Sequence, residues 1–442
     1  MTEPATVDSR PQPPPSSHWL LRVLVLIFVG LLTYGSYFAY DSVGALAPTL
    51  IKAWNTSQSG IGWLYTIYSI AAILSVFLGG VLTDRIGTRR ASLLFSALIV
   101  VGAGMVALSS SVPVACAGRF VFGAGSESLV VAQNAILARW FTGRMLAMSF
   151  GITLALARLG TLFSFNTMSL TANRFGWRGA LWVAAGLCVA SLLANVVYFV
   201  LDKVNEKPLG LTESEAGDKI VLADIKKFGA SYWCVVALCV TFYSAIFPFT
   251  ALSTDFFHEK WHLPLSVDSG SLGFFAAAFQ DFLHMFSTAP GTSSIIIFAS
   301  MCFAPFAGGL VDKIGRRTSL MILGALLMIP CYLVLGFSSI SPALPMILLG
   351  ASFVLVPAAM WPAVPLIVEK NRVGTAFGLM TMIQNIGLAV FPVLNGWLRE
   401  WTKDYRASMV MFSLLGCAGL VFAVLLKRAD GRAGGVLERS RS

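Results

Sequence analysis

Charge is scarce in this chain. Of its 442 residues only 12% are Asp, Glu, Lys or Arg, while 57% are hydrophobic, a balance that excludes an ordinary soluble domain. Histidine is scarcer still. The four copies, at 18, 258, 262 and 284, all fall outside the long apolar runs, so buried proton carriage is left to carboxylates. The seven cysteines, at 116, 188, 234, 239, 302, 331 and 417, lack metal-ligand spacing and read as small packing residues. No metal site or cofactor is expected. There is no glycine-rich phosphate loop, which argues against ATP coupling, and no nucleophile–base cluster, which argues against an enzyme.

What the chain does have is twelve apolar runs, near 20–48, 59–82, 90–108, 112–138, 145–171, 178–201, 230–254, 292–311, 318–337, 342–368, 373–398 and 406–427. Each is long enough to cross a hydrocarbon core of roughly 30 Å as a helix. Lys and Arg number 22 in the tails and even-numbered loops against seven in the odd loops, placing both termini in the cytosol. This bias accounts for the net charge of +10, and nucleic acid is not a required partner; the lipid bilayer is. The expected organisation is an all-α membrane protein of two six-helix bundles. A disordered tail (1–18), the first bundle (19–201), a cytosolic linker (202–229), the second bundle (230–428) and a basic tail (429–442) follow in order. The end of the linker, 219–227, suits a short amphipathic surface helix. An apolar stretch interrupted by charge, within 258–291, suits an interfacial or re-entrant helix outside the membrane core.

One short sequence occurs twice: Gly80-Val-Leu-Thr-Asp84-Arg85-Ile-Gly87-Thr-Arg89-Arg90, and Gly308-Gly-Leu-Val-Asp312-Lys313-Ile-Gly315-Arg316-Arg317. The two aspartates are 228 positions apart (312 − 84), and each copy follows the second span of a half. This duplication indicates two parallel repeats. Gly80 and Gly308 would let a neighbouring helix approach closely, and the charged corner would form a latch between halves. These residues resemble the loop motif of the major facilitator superfamily. Gly118-Arg119-Phe-Val-Phe-Gly123 resembles that superfamily's span-four arginine motif, which adds Arg119 to the conformational set. Span five lacks the Gly-Pro pair of the drug/proton antiporters.

Four ionisable residues lie well within the spans: Asp41, Arg119, Glu127 and Arg158. Each would cost on the order of 2.5–3.5 kcal/mol at a bilayer centre, so they should face a wet cavity or one another. Their charges sum to zero, and an internal pairing without a substrate is the competing account. Glu127 shares a helix face with Asn134, and Arg158 approximately with Asn166. A carboxylate and a guanidinium across one cavity suit a zwitterion, Glu127 taking an ammonium and Arg158 a carboxylate. Tyr37 lies one turn from Asp41. Tyr243, Trp361, Gln384 and Asn385 offer an aromatic and amide surface from the second half.

Several segments are similar to the lysosomal dipeptide transporter family, the relatives of major facilitator superfamily domain-containing protein one. They include Gly35-Ser-Tyr-Phe-Ala-Tyr-Asp41, the run Gly118 to Asn134, Ala157-Arg158-Leu-Gly160, Phe247-Pro-Phe249, Trp361-Pro362 and Gly374-Thr-Ala-Phe-Gly378. The resemblance implies a transporter of dipeptides working by alternating access as a uniporter, with Glu127 and Arg158 holding the peptide's amino and carboxyl ends. A monomer is expected; an accessory subunit is left open. The first tail lacks an acidic dileucine sorting signal, so a cell-membrane location is expected, with the lysosomal membrane as the alternative. Rival accounts are a proton-coupled symporter of organic anions or sugars, and a non-transporting receptor or scaffold of the same fold.

Overall fold

A computed structural model describes residues 19–141, 143–209, 225, 227–267, 273–369 and 372–439. The first tail, and residues 210–224 with most of the expected surface helix, lie outside the described residues. The first half comprises α1 (Trp19–Ala45), α2 (Ala47–Ala53), α3 (Gln58–Ile86), α4 (Thr88–Leu108), α5 (Val112–Trp140) and α6 (Gly143–Leu209). The second comprises α7 (Ala230–Trp261), α8 (Phe274–Leu283), α9 (Ala289–Ile314), α10 (Arg317–Phe337), α11 (Ala343–Met360), α12 (Val364–Ile367), α13 (Val373–Thr402) and α14 (Arg406–Arg432).

Among the described residues eleven helices are long and apolar enough to cross a membrane, and α6 is two passes. On its first arm Gly160 and Ser164 meet Tyr34 and Phe38 of α1; on its second, Cys188 and Ser191 meet Gly35 and Leu31. The contacts climb α1 along one arm and descend it along the other, so the chain reverses between them, at Gly176 (φ 73°, ψ 163°). The expected twelve spans are therefore present. The duplicated motif is a duplicated corner, with Gly87 (φ 80°) and Gly315 (φ 72°) both in the positive-φ region between consecutive helices. The charge-interrupted stretch forms α8, ten residues or about 15 Å long, too short for a span. It rests on the α6 reversal through Phe274 against Phe175 (centroids 6.4 Å).

Two proline bends follow one rule. Proline has no amide for the carbonyl four residues back, and its ring crowds the same turn, so that the carbonyl three residues back can take a donor from outside. In α7, Pro248 lies inside the helix and the Tyr332 hydroxyl donates to Ala245 O, three residues back, at 2.6 Å. In α13, Pro392 does the same and the Thr66 hydroxyl donates to Ala389 O. The first donor belongs to the same half; the second comes from the other half.

The halves are sealed at one end and parted at the other. Among the described residues, the hydrogen bonds between halves run from Asn173–Ser266 at the sealed end to Arg158–Ser300 at mid-depth. Beyond that level, a Cβ added at Gly308 or Gly309 would meet nothing within 4 Å. Both duplicated corners stand at the parted end.

Within the first half that end is tied by ions. Asp202 accepts from Arg139 (3.1 Å) and from Trp140 Nε1 (2.6 Å), and pairs with Arg89 (3.3 Å); Glu206 takes the remaining arms of Arg89 (2.8 Å) and Arg139 (2.9 Å). Arg139 and Asp202 are both fully buried. Removing the acid while leaving the guanidinium inside costs about 3–5 kcal/mol. Asp202→Ala is expected to lower the unfolding temperature in detergent markedly, whereas Glu206→Ala, at a partly exposed position, lowers it little.

In the second half the chain's own tail does this work, so the expected basic tail is in part folded. Leu437 is fully buried and its amide donates to Asp430 (3.1 Å). Glu438 accepts from the Ser319 amide (2.9 Å), from the Thr318 and Ser319 hydroxyls, and lies 3.8 Å from Lys427. Burial alone would raise this carboxyl. The hydrogen bonds from Thr318 and Ser319, with the Lys427 charge, outweigh it and hold it below the usual carboxylate range. A depressed carboxyl stabilises the docked tail at neutral pH, and that contribution is lost as pH falls through its folded value. The protection of amides 434–439 against hydrogen exchange, taken relative to the intrinsic rate at each pH, is expected to fall on acidification, an effect that Glu438→Gln removes.

Candidate functional site

Arg158 lies eighteen residues from the α6 reversal and Glu127 fifteen from the start of α5, which at 1.5 Å per residue places them at similar depths, about 27 and 22 Å. Neither pairs with the other. Among the described residues none of Asp41, Arg119, Glu127 and Arg158 has an ion pair within 4.0 Å, so internal pairing does not account for them. Glu127 accepts from the Tyr68 hydroxyl at 2.6 Å. Arg158 donates to Ser300 Oγ at 3.1 Å and lies 4.0 Å from the Phe353 ring centroid, both in the second half. Tyr37 stands within electrostatic reach of Glu127, Arg158 and Asp41 together. Asp41 is buried and accepts from Thr161 at 2.6 Å.

The second half presents aromatic surface to this centre. Tyr243 stacks on Phe247 (5.7 Å) and meets Phe353 edge-on (6.5 Å), and Trp361 Nε1 donates to its hydroxyl at 3.0 Å. Gln384 accepts from Cys239 (3.5 Å). Asn134 is exposed, two turns from Glu127 towards the parted end. Two other expected amides are elsewhere. Asn166 donates to Ser294 of the second half at 2.9 Å and so belongs to the seal. Asn385 is buried and donates to the Thr381 carbonyl of its own helix (3.1 Å).

Arg119 is buried in a cage of rings, 4.8 Å from the Tyr40 centroid, 5.0 Å from Tyr65 and 5.3 Å from Tyr68, and bonds the carbonyls of Leu64 and Tyr40. It fastens α5 to α1 and α3. Of the corner residues, Arg89 is ion-paired as above. Arg85, Arg90, Lys313 and Arg316 are exposed, and Arg317 is buried. The side chain of Asp312 lies outside the described residues. Gly80 has only Val131 at 4.0 Å. Among the described residues no helix presses on either repeated glycine in this conformation.

The Major Facilitator Superfamily signature matches residues 26–292 and again 273–441. The chain belongs to the Major Facilitator Superfamily. It is 35% identical over 428 residues to the lysosomal dipeptide transporter MFSD1 of Danio rerio (94% of this chain, 88% of the relative). It is 31% identical over 433 residues to that of Homo sapiens (95% and 88%). Among solved structures it superposes on a bacterial homologue of the lysosomal transporter Spinster, inward-facing and occupied, with TM-score 0.71 at 13% identity (97% and 100%). A peptide transporter POT in complex with sulfate gives TM-score 0.71 at 15% identity (98% and 98%). This superfamily member is thus a multi-pass membrane transporter and not an enzyme.

Sequence reasoning missed the superfamily member's seal. Gly62 and Gly396 bring α3 and α13 into backbone contact: a Cβ would fall 2.4 Å from Pro392 O at the first and 2.4 Å from Ser59 N at the second. Glu400 of the second half accepts from the Ser59 amide (2.7 Å), capping the start of α3 across the interface. Asp255 accepts from Gln58 (3.2 Å) and Tyr405 (2.5 Å), and Glu259 takes Arg399 bidentately (2.9 and 2.8 Å). The available signal was length: α7 runs to 261 and α13 to 402, so carboxylates read as loop residues continue the helices.

Proposed function

We propose that this transporter carries dipeptides by alternating access, as a uniporter. The observation behind this reading is the unpaired Glu127 and Arg158 at one depth, with Tyr37 in reach of both, facing an aromatic wall. A free dipeptide offers the complementary ammonium and carboxylate, and the wall suits its side chains. The relatives named as dipeptide transporters support the same substrate class. Corner charges at the parted end follow the positive-inside pattern, so the state described opens to the cytosol with both termini there. The relatives' lysosomal naming favours the lysosomal membrane, or its counterpart, over the cell-membrane reading.

A thermal-shift screen of purified protein against dipeptides, free amino acids and sugars tests the substrate class. A ligand of the folded state raises stability as RT ln(1 + [L]/Kd); silence from all dipeptides with a shift from sugars would overturn the reading. Buried Asp41, held by Thr161 without an ion pair, motivates proton symport as the second reading. Counterflow unaffected by an imposed proton gradient in proteoliposomes excludes obligatory coupling.

A further inference from the structure

At the parted end, the α3–α4 corner and the last turns of α6 enclose a cavity of about 280 Å³ lined by Ile86, Arg89, Arg90, Phe199, Lys203 and Glu206. Arg89 and Glu206 neutralise one another. Arg90 and Lys203 are exposed and, among the described residues, have no carboxylate within 4.0 Å. Ile86 and Phe199 supply apolar wall, and Val196, Val200 and Val204 continue along α6 as an exposed apolar stripe.

The other half shows what the equivalent position holds. The 228-residue offset that relates Asp84 to Asp312 also relates Arg90 to Thr318, Phe199 to Lys427 and Asp202 to Asp430. Asp202 and Asp430 are both buried. There the tail occupies the corner, with the Glu438 carboxylate on Thr318, Ser319 and Lys427 and buried Leu437 beside it. One repeat thus carries a bound anion with an apolar neighbour; the other presents an open cavity at the edge of an apolar stripe, with two cations that no carboxylate compensates among the described residues.

We propose that this cavity binds the headgroup of an anionic phospholipid. The phosphodiester sits between Arg90 and Lys203, and the acyl chains leave over Phe199 along the α6 stripe. Juxtamembrane Lys and Arg attract anionic headgroups in this way, and the bound lipid bridges the α3–α4 corner to α6.

The test is native mass spectrometry of the full-length protein from neutral detergent, titrated with phosphatidylglycerol, phosphatidylcholine or inorganic phosphate. Phosphatidylglycerol should be retained preferentially. Arg90→Gln/Lys203→Gln should weaken it roughly thirtyfold without shifting the unfolding temperature in detergent alone, and Arg90→Lys/Lys203→Arg should retain it. Equal retention of phosphatidylcholine, phosphatidylglycerol binding unchanged in the double Gln variant, or displacement by inorganic phosphate at comparable concentration would each overturn the proposal. The last outcome would assign the site to a free anion.

Discussion

Arg158→Lys is expected to cut dipeptide counterflow by on the order of thirtyfold, and Glu127→Gln by a similar factor. Charge-assisted hydrogen bonds contribute about 1.5–3 kcal/mol each, and roughly 2 kcal/mol is a factor of about thirty in affinity. Lysine keeps the charge at 158 but loses the planar fork that grips a carboxylate bidentately. It also gives up the geometry of the present contacts to Ser300 and Phe353. Glutamine at 127 keeps an acceptor for the Tyr68 hydroxyl yet removes the charge that an ammonium requires. The two variants should therefore divide by ligand end. N-acetylated dipeptides, already poor ligands of the parent protein, should lose little further with Glu127→Gln, and C-terminally amidated ones little further with Arg158→Lys. Competition assays against a labelled dipeptide read this directly. A fully active Glu127→Gln would instead favour an anion carrier that uses the arginines alone.

Gly62→Val is expected to halt transport by unsealing the closed end. The added Cβ would fall 2.4 Å from the Pro392 carbonyl oxygen and 2.8 Å from Val393 Cα, backbone atoms that cannot rotate aside. Overpacking of this kind costs about 1–3 kcal/mol or more. Because it acts only where α3 and α13 touch, it shifts the equilibrium between conformations by roughly five- to 150-fold. A cysteine at Ser59 should become more reactive to an impermeant thiol reagent in the valine variant. The same substitution at Gly80, where only Val131 lies at 4.0 Å, leaves the sealed state undisturbed. Unchanged labelling and full transport with Gly62→Val would show that the seal does not depend on this contact.

The contrast between these glycines shows where the sequence was legible. The repeat marked both corners, and the structure places Gly87 and Gly315 at them with positive φ. Apolar length marked the spans, and isolated charge marked Glu127 and Arg158, because a buried ion in a lipid-facing helix has few alternatives. Gly62 carries no such mark. Any helical glycine permits close approach, and which one is used depends on how two distant helices are rotated against each other in one conformation. The same holds for the amides. Asn166 and Asn385 share helix faces with proposed binding residues, and their amide nitrogens go to Ser294 and to the Thr381 carbonyl. The docked tail was illegible because Glu438 acts through residues more than a hundred positions away.

The hydroxyl that Thr66 lends to Ala389 ties two events together. The Ala389 carbonyl, three residues before Pro392 in α13, takes a donor from the other half, and keeps it only while that end is shut. When the halves part there, a carbonyl in the wall of the new opening is bared, and water or a changed helix curvature must take it. Opening therefore frees an acceptor on α13, and the first water to enter from that side has a place to bind.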